Sequence, residues 1–282
     1  LIGSGVGQIN LTVDTIIGTL LPAGSVSLMY FADRINQLPL GVLGAAAGTT
    51  LLPVLTRHLS AGDIQGAHTA QNRSIEYVVL LTLPAVAGLL VLAGPIMIVL
   101  FGHGSFTEHD ALLSAQSLRA YAVGLPAFIL VKVLSPAFFA RGDTRTPVYV
   151  GIGVLVLNFI LNLLFMKPLA HMGPPLASSV TACVNVAFLV VLLLRKNALL
   201  VYGSTLSHMG RVGVAALLMG LGLLGLESFV SLPAIFVTRA LWLVGMVVGG
   251  AVFYAALLHA LGVVNLSDVV VRIRGRLRRK VG

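Results

Sequence analysis

Apolar residues run along this chain in long blocks, separated by short clusters of Gly, Pro, Asp and Ser. A bilayer core about 30 Å thick is crossed by roughly 20 residues of helix. Eight stretches meet that length: 1–21, 25–55, 75–101, 112–140, 147–166, 175–194, 212–226 and 234–261. Breaker residues mark the joins, among them Pro22-Ala23-Gly24, Gly62-Asp63, Gly102-His103-Gly104, Gly142-Asp143-Thr144 and Gly173-Pro174-Pro175. The pattern predicts an all-α, polytopic membrane protein whose loops are too short for a separate soluble domain. Thr107, three residues before Asp110, is a helix-start signature that predicts a surface helix ahead of the fourth span.

Composition sharpens this. Hydrophobic residues make up 57% and charged residues 10%, where soluble domains carry about 25% charged. Mean hydropathy is +1.01 over the whole chain. A soluble enzyme, a disordered chain and a secreted disulfide scaffold are all excluded. Cys183 is the only cysteine, so no cysteine metal site or disulfide framework is available. The chain begins inside an apolar run and reads as a piece of something longer.

The net charge of +9 owes much to the end of the chain, where six of the 18 cations lie between Arg272 and Lys280. Beside a membrane helix such a tail attracts anionic headgroups, and a nucleic-acid partner is not expected. Arg57, Arg73, Arg141, Arg145, Arg195, Lys196 and Arg211 fall on the same side as this tail. Only Arg119, Lys167 and Arg239 fall on the other, so the first side is predicted to be cytoplasmic, with both chain ends there.

Arg34 and Lys132 remain inside spans. A cation at mid-bilayer costs about 2.5–3.5 kcal/mol and must face protein, water or a ligand. Arg34 lies roughly 15 Å from Gly24, directly after Asp33. Either each finds a structural partner on another helix, or the guanidinium receives an anionic headgroup, for which its planar fork of donors is suited. Pro39 removes a backbone hydrogen bond beyond Arg34 and gives the span room to kink. Lys132 either snorkels to headgroups or faces a cavity.

Asp14, Asn158, Asn162 and Thr181 fall at similar depths from one face. They form a candidate Na⁺ or proton site, with interhelical hydrogen bonding as the alternative. The histidines have no metal-ligand spacing, and no nucleotide or hydrolase motif is present, so no metal or cofactor is expected. Gly44 and Gly48 have small-xxx-small spacing, which lets helices approach closely.

The run Met29-Tyr30-Phe31-Ala32-Asp33-Arg34-Ile35-Asn36-Gln37-Leu38-Pro39-Leu40-Gly41-Val42, continuing to Thr50-Leu51-Leu52-Pro53, closely resembles the MurJ (MviN) family of lipid II flippases. Further matching stretches are 100–107, Tyr121 to Leu125 leading to Lys132-Val133-Leu134, and 140–147. The family has 14 helices in the multidrug/oligosaccharidyl-lipid/polysaccharide transporter fold, and this chain resembles helices seven to fourteen. Residues 1–196 would then be the second six-helix lobe, 197–264 the extra helix pair, and 265–282 a basic cytoplasmic tail.

The resemblance implies an inner-membrane transporter, not an enzyme, that moves undecaprenyl-pyrophosphate-linked peptidoglycan precursor, lipid II, to the outer leaflet. It implies that Arg34 belongs to the cationic cavity that receives the pyrophosphate, that Asp33 helps hold that site, and that a first lobe is missing here; Lys132 is a further substrate-binding candidate from its place inside a span. The family often carries an acid where Gln37 stands; here that position is neutral. A multidrug or polysaccharide-lipid exporter of the same superfamily is the rival, separable by the sign of the cavity charge. A structural membrane subunit is the other.

Overall fold

The computed structural model describes residues 16–229, 233 and 235–264, with residues 45–50 described by their backbone alone. Among them are seven long helices: α1 (Ser25–Ser60), α2 (Ile64–Phe101), α3 (Glu108–Phe139), α4 (Arg145–Leu169), α5 (Gly173–Arg195), α6 (Gly203–Phe229) and α7 (Phe236–Ala260). A 3₁₀ turn at Ala170–Met172 joins α4 to α5. These helices occupy the second to eighth expected spans. Most of the first span, the basic tail and Asp14 lie outside the described residues.

Among the described residues, the stretches that are long and apolar enough to cross a membrane include α2, α3, the run from Arg145 to Arg195 that holds α4 and α5, α6, and α7. Helix α1, at the second expected span, carries Asp33, Arg34, Asn36 and Gln37 in its first half.

Two boundaries differ from expectation. Helix α2 starts at Ile64 rather than residue 75, because Asp63 caps it by accepting the Gly66 N–H at 2.8 Å. Its polar first turns are drawn inward, with His68, Gln71 and Asn72 all buried. The surface helix expected before the fourth span is not a separate element. Thr107 is the N-cap of α3 itself, and Asp110 closes a capping box by accepting the Thr107 N–H at 2.9 Å.

Helix α3 packs against α1, α2 and α5. Small polar donors fasten it to its neighbours: Ser114 Oγ donates to the Leu28 carbonyl at 2.6 Å, and Ser179 Oγ donates to that of Ala120 at 2.6 Å. At Gly124 the backbones of α3 and α5 nearly touch. A Cβ there would fall 2.7 Å from Ser179 Cα.

Helices α6 and α7 pack on each other and on α2. Val212, Met219, Leu223 and Met246 bury against Val79, Val91 and Leu92. One polar contact joins this pair to α2. Pro84 has no N–H and leaves the Leu80 carbonyl without its helical donor. The Tyr254 hydroxyl of α7 donates to that carbonyl at 2.8 Å. Elsewhere the outward surfaces of α6 and α7 present large apolar side chains such as Leu221, Phe236 and Val252, as contact with lipid requires.

The alternation of helices creates two faces. One, the Gly24 face, carries 102–107, the 170–172 turn and Pro233; the other, the Arg141 face, carries 61–63, 140–144 and 196–202. Arg57, Arg73, Arg141, Arg145, Arg195, Lys196 and Arg211 all lie toward the Arg141 face. A polar knot closes that face. Asp143 accepts from Lys196 and from the Thr146 hydroxyl, and Arg141 donates to the Ala198 carbonyl at 3.0 Å. The Lys196 ammonium beside it, aided by Thr146, holds the Asp143 carboxyl down at about 2. On the Gly24 face, Arg239 pairs with Glu108 at 2.5 Å and ties the start of α7 to the start of α3.

Candidate functional site

Along α1, positions 30, 34, 37, 38 and 41 follow helical spacing and are all exposed, so they form one uncovered stripe. On the opposite side Ala32, Ile35 and Asn36 are buried against the lobe. Arg34 is therefore displayed on a flank that no described helix covers.

Its partner is an aromatic ring. The Arg34 Nη2 donates to the Tyr30 hydroxyl at 2.6 Å, and the guanidinium carbon lies 4.7 Å from the centre of that ring. Asp33 points elsewhere and accepts from the Gln37 amide one turn on. Adjacent residues on a helix diverge by about 100°, so each of the two charges bonds along its own row, four residues away. Among the described residues no carboxylate pairs with the guanidinium, which gives one N–H to Tyr30 and has further donors to offer. Sequence reasoning placed Arg34 near mid-membrane by its Cα. Long helical side chains lean toward the N-terminus, and the guanidinium sits level with Tyr30, about 9 Å from the Gly24 end.

Lys132 is exposed on α3, and its ammonium is delivered to α1. Gly44 makes this possible: a Cβ there would stand 2.7 Å from Lys132 Nζ and 3.2 Å from its Cδ. Arg34 and Gly44 are ten residues apart, about 15 Å along α1. The close-approach glycine expected from sequence thus admits a lysine stem as well as a helix.

Asn158, Asn162 and Thr181, predicted to gather, do so. Asn158 Nδ2 donates to Thr181 Oγ1 at 3.4 Å and to Ser178 Oγ at 3.2 Å, while Asn162 Nδ2 donates to Asn158 Oδ1 at 2.9 Å. Asn158 and Asn162 are wholly buried and Thr181 is 1% exposed. Ser178 was missed, although its position one turn before Thr181 places it on the same helix face. Tyr30 was missed as well, since an aromatic residue in an apolar run reads as filler.

Between α4 and α5 lies a pocket of about 300 Å³ lined by Tyr149, Val154, Leu157, Phe188 and neighbours. Its walls are apolar and offer nothing to an anion. Among the described residues no three His, Cys, Asp or Glu side chains gather at a metal-sized site.

A family model described as lipid II flippase MurJ matches residues 1–245. The chain belongs to the MurJ family. A probable lipid II flippase MurJ of Rhizobium meliloti is 39% identical over 273 residues, covering 95% of this chain and 51% of the relative. That of Vibrio cholerae is 38% identical over 272 residues, again covering 95% of this chain and 51% of the relative. The chain thus spans about half the length of the curated MurJ relatives it matches. A solved MurJ structure in an inward closed conformation superposes on 90% of this chain with a TM-score of 0.70 and 25% identity, using 52% of its own length. A MOP-superfamily transporter from Pyrococcus furiosus shares the fold at a TM-score of 0.61 and 18% identity, over 81% of this chain and 52% of its own. The architecture is an all-α, multi-pass membrane fold of the transporter type, and the stripe bearing Arg34 belongs to a MurJ-family helix.

Proposed function

We propose that this chain forms the second half of a lipid II flippase, incomplete without a first lobe, and that Arg34 receives the substrate's pyrophosphate. The observation that carries the reading is the guanidinium on the uncovered stripe of α1, held by a neutral ring and facing away from the lobe. Dragging a diphosphate through hydrocarbon incurs an ionic desolvation cost far above any single contact. A cation fixed in a wet cleft between two lobes offsets that cost locally, while the polyprenyl tail stays in lipid. Rocking of the lobes about the cleft then exposes the headgroup first to one side and then to the other. A drug-cation exporter needs acids where Arg34 and Lys132 stand, so the charge of this flank favours an anionic cargo.

Within this reading Asp33, anchored by Gln37, fixes the local polarity, and Lys132 adds a second positive group at Gly44. The Arg141 face is cytoplasmic, as its excess of cations favours, in a bacterial inner membrane. Asp14 with Asn158, Asn162 and Thr181 forms a Na⁺ or proton site that couples transport to an ion gradient. Support for it is a set of oxygens held together at essentially zero exposure.

The test supplies the first half of a MurJ relative in trans to flippase-depleted cells. The wild-type chain rescues growth and lipid II translocation, Arg34→Lys rescues partly, and Arg34→Ala fails. Full rescue by Arg34→Ala removes the site assignment. In the same assay Asp14→Asn lowers the sodium or proton dependence, and an unchanged dependence leaves that cluster purely structural.

A further inference from the structure

The segment Phe101-Gly102-His103-Gly104-Ser105-Phe106-Thr107, one of the stretches that carries the family resemblance, has no part in the site described so far. Its two aromatic residues reach α1. Phe101 packs tilted against Phe31 and Phe106 meets it edge-on, with ring centres 4.7 and 4.8 Å away. Phe31 in turn meets the edge of Tyr30 at 5.8 Å, in a T-shaped contact with an interplanar angle of 76°. Tyr30 then carries the guanidinium of Arg34, with both its hydroxyl and its face engaged.

Each contact in this chain has a physical preference behind it. Edge-to-face and tilted ring pairs fix mutual orientation, because the positive ring edge seeks the negative face. A guanidinium over a ring face is attracted by the same quadrupole and keeps its in-plane N–H donors free. An unbacked arginine on an exposed helix flank would instead sample many rotamers, and binding would have to order it. Half of the Tyr30 surface is exposed, at 51%, so the ring needs support from behind. Phe31 is partly buried in the core and supplies it.

We propose that Tyr30 is a positioning residue for Arg34, and that the 101–107 connection acts through Phe101, Phe106 and Phe31 to hold the Tyr30 ring under the guanidinium. The inference rests on the reading of Arg34 as the diphosphate ligand and assigns it a built support. The ring presents a fixed cation while committing only one N–H to a neutral hydroxyl, a contact that an incoming diphosphate displaces easily. Binding then tightens because the cation is already in place.

The test uses the full chain reconstituted in lipid nanodiscs together with the first half of a MurJ relative, with phenylglyoxal as the arginine reagent and inorganic pyrophosphate as the protecting ligand. Modification of Arg34 is read by peptide mass spectrometry across a pyrophosphate titration. In wild type, pyrophosphate protects Arg34. Tyr30→Leu raises the half-protecting concentration about fivefold, Tyr30→Phe, which keeps the ring face, by less than about twofold, and Phe106→Ala by about two- to threefold. Protection at Arg34 with an unmoved midpoint in Tyr30→Leu overturns the inference and leaves the anion site standing. Absence of any protection in wild type overturns the anion site itself. Modification of Arg119, on a different helix, serves as the fold control and is unchanged in every variant.

Discussion

The contact at Gly124 gives a prediction whose size follows from distances. Replacing Gly124 with Ala places a Cβ 2.5 Å from Ser179 Oγ, 2.7 Å from Ser179 Cα and 2.8 Å from Ser179 Cβ. Carbon atoms settle at about 3.5–4.0 Å, so α3 and α5 must part by the order of 1 Å. No rotamer change relieves it, since one of the atoms struck is backbone. Overpacking of this kind costs about 1–3 kcal/mol, while exchanging glycine for alanine inside a helix returns about 0.5–1 kcal/mol. The net is a loss of up to about 2.5 kcal/mol, and the shift also strains the Ser179 hydrogen bond to Ala120. Gly88 is the internal control: it too lies within a helix, and a Cβ there meets nothing within 4 Å. Gly88→Ala is expected to leave the protein unchanged or slightly more stable. Thermal unfolding in a fixed detergent, followed by helical circular dichroism, compares the two. If Gly124→Ala melts with or above Gly88→Ala, the close crossing of α3 and α5 is not present and the argument fails.

Other expectations follow from single contacts. Tyr254→Phe leaves the Leu80 carbonyl without a donor and costs about 0.6–1.7 kcal/mol, the range of hydrogen bonds within membranes. In a Pro84→Ala background, where residue 84 regains its N–H, the same change costs nearly nothing, and equal costs in a double-mutant cycle refute the link. Asp143, held at about 2 by Lys196 and Thr146, has its pKa lowered on folding. Its contribution to stability is therefore complete above the ordinary carboxylate value near 3.8 and disappears as pH falls toward about 2. Melting temperatures of wild type and Asp143→Asn should differ at neutral pH and converge across that interval; a constant gap means that the Lys196 contact is not formed.

The helices were legible because lipid imposes a length and a polarity that a reader can count. The start of α2 was not. Gln65, His68, Gln71 and Asn72 look like the end of a loop, yet Asn72 turns inward to donate to the Leu200 carbonyl at 2.6 Å, a partner over a hundred residues away. Arg34 stood out as a misfit in an apolar run, and the uncovered stripe explains why it is tolerated. What holds it did not stand out. Tyr30 has the same hydropathy signature as its apolar neighbours, and its role depends on ring orientation, which periodicity does not encode. The asparagine pair was found through its spacing of four residues, whereas Ser178 was passed over because a serine in a membrane helix usually donates to its own backbone.

Gly44 has a consequence for bookkeeping of charge by helix. By omitting one methyl group, α1 acquires on its surface a positive group encoded more than eighty residues later in α3. Two cations then ride on what moves as one packed unit of α1 and α3. An electric field across the membrane would act on both together, at up to about 2.3 kcal/mol per charge for each 100 mV fully traversed. A substitution that merely fills that notch would displace the Lys132 ammonium from beside α1 without touching either charged residue.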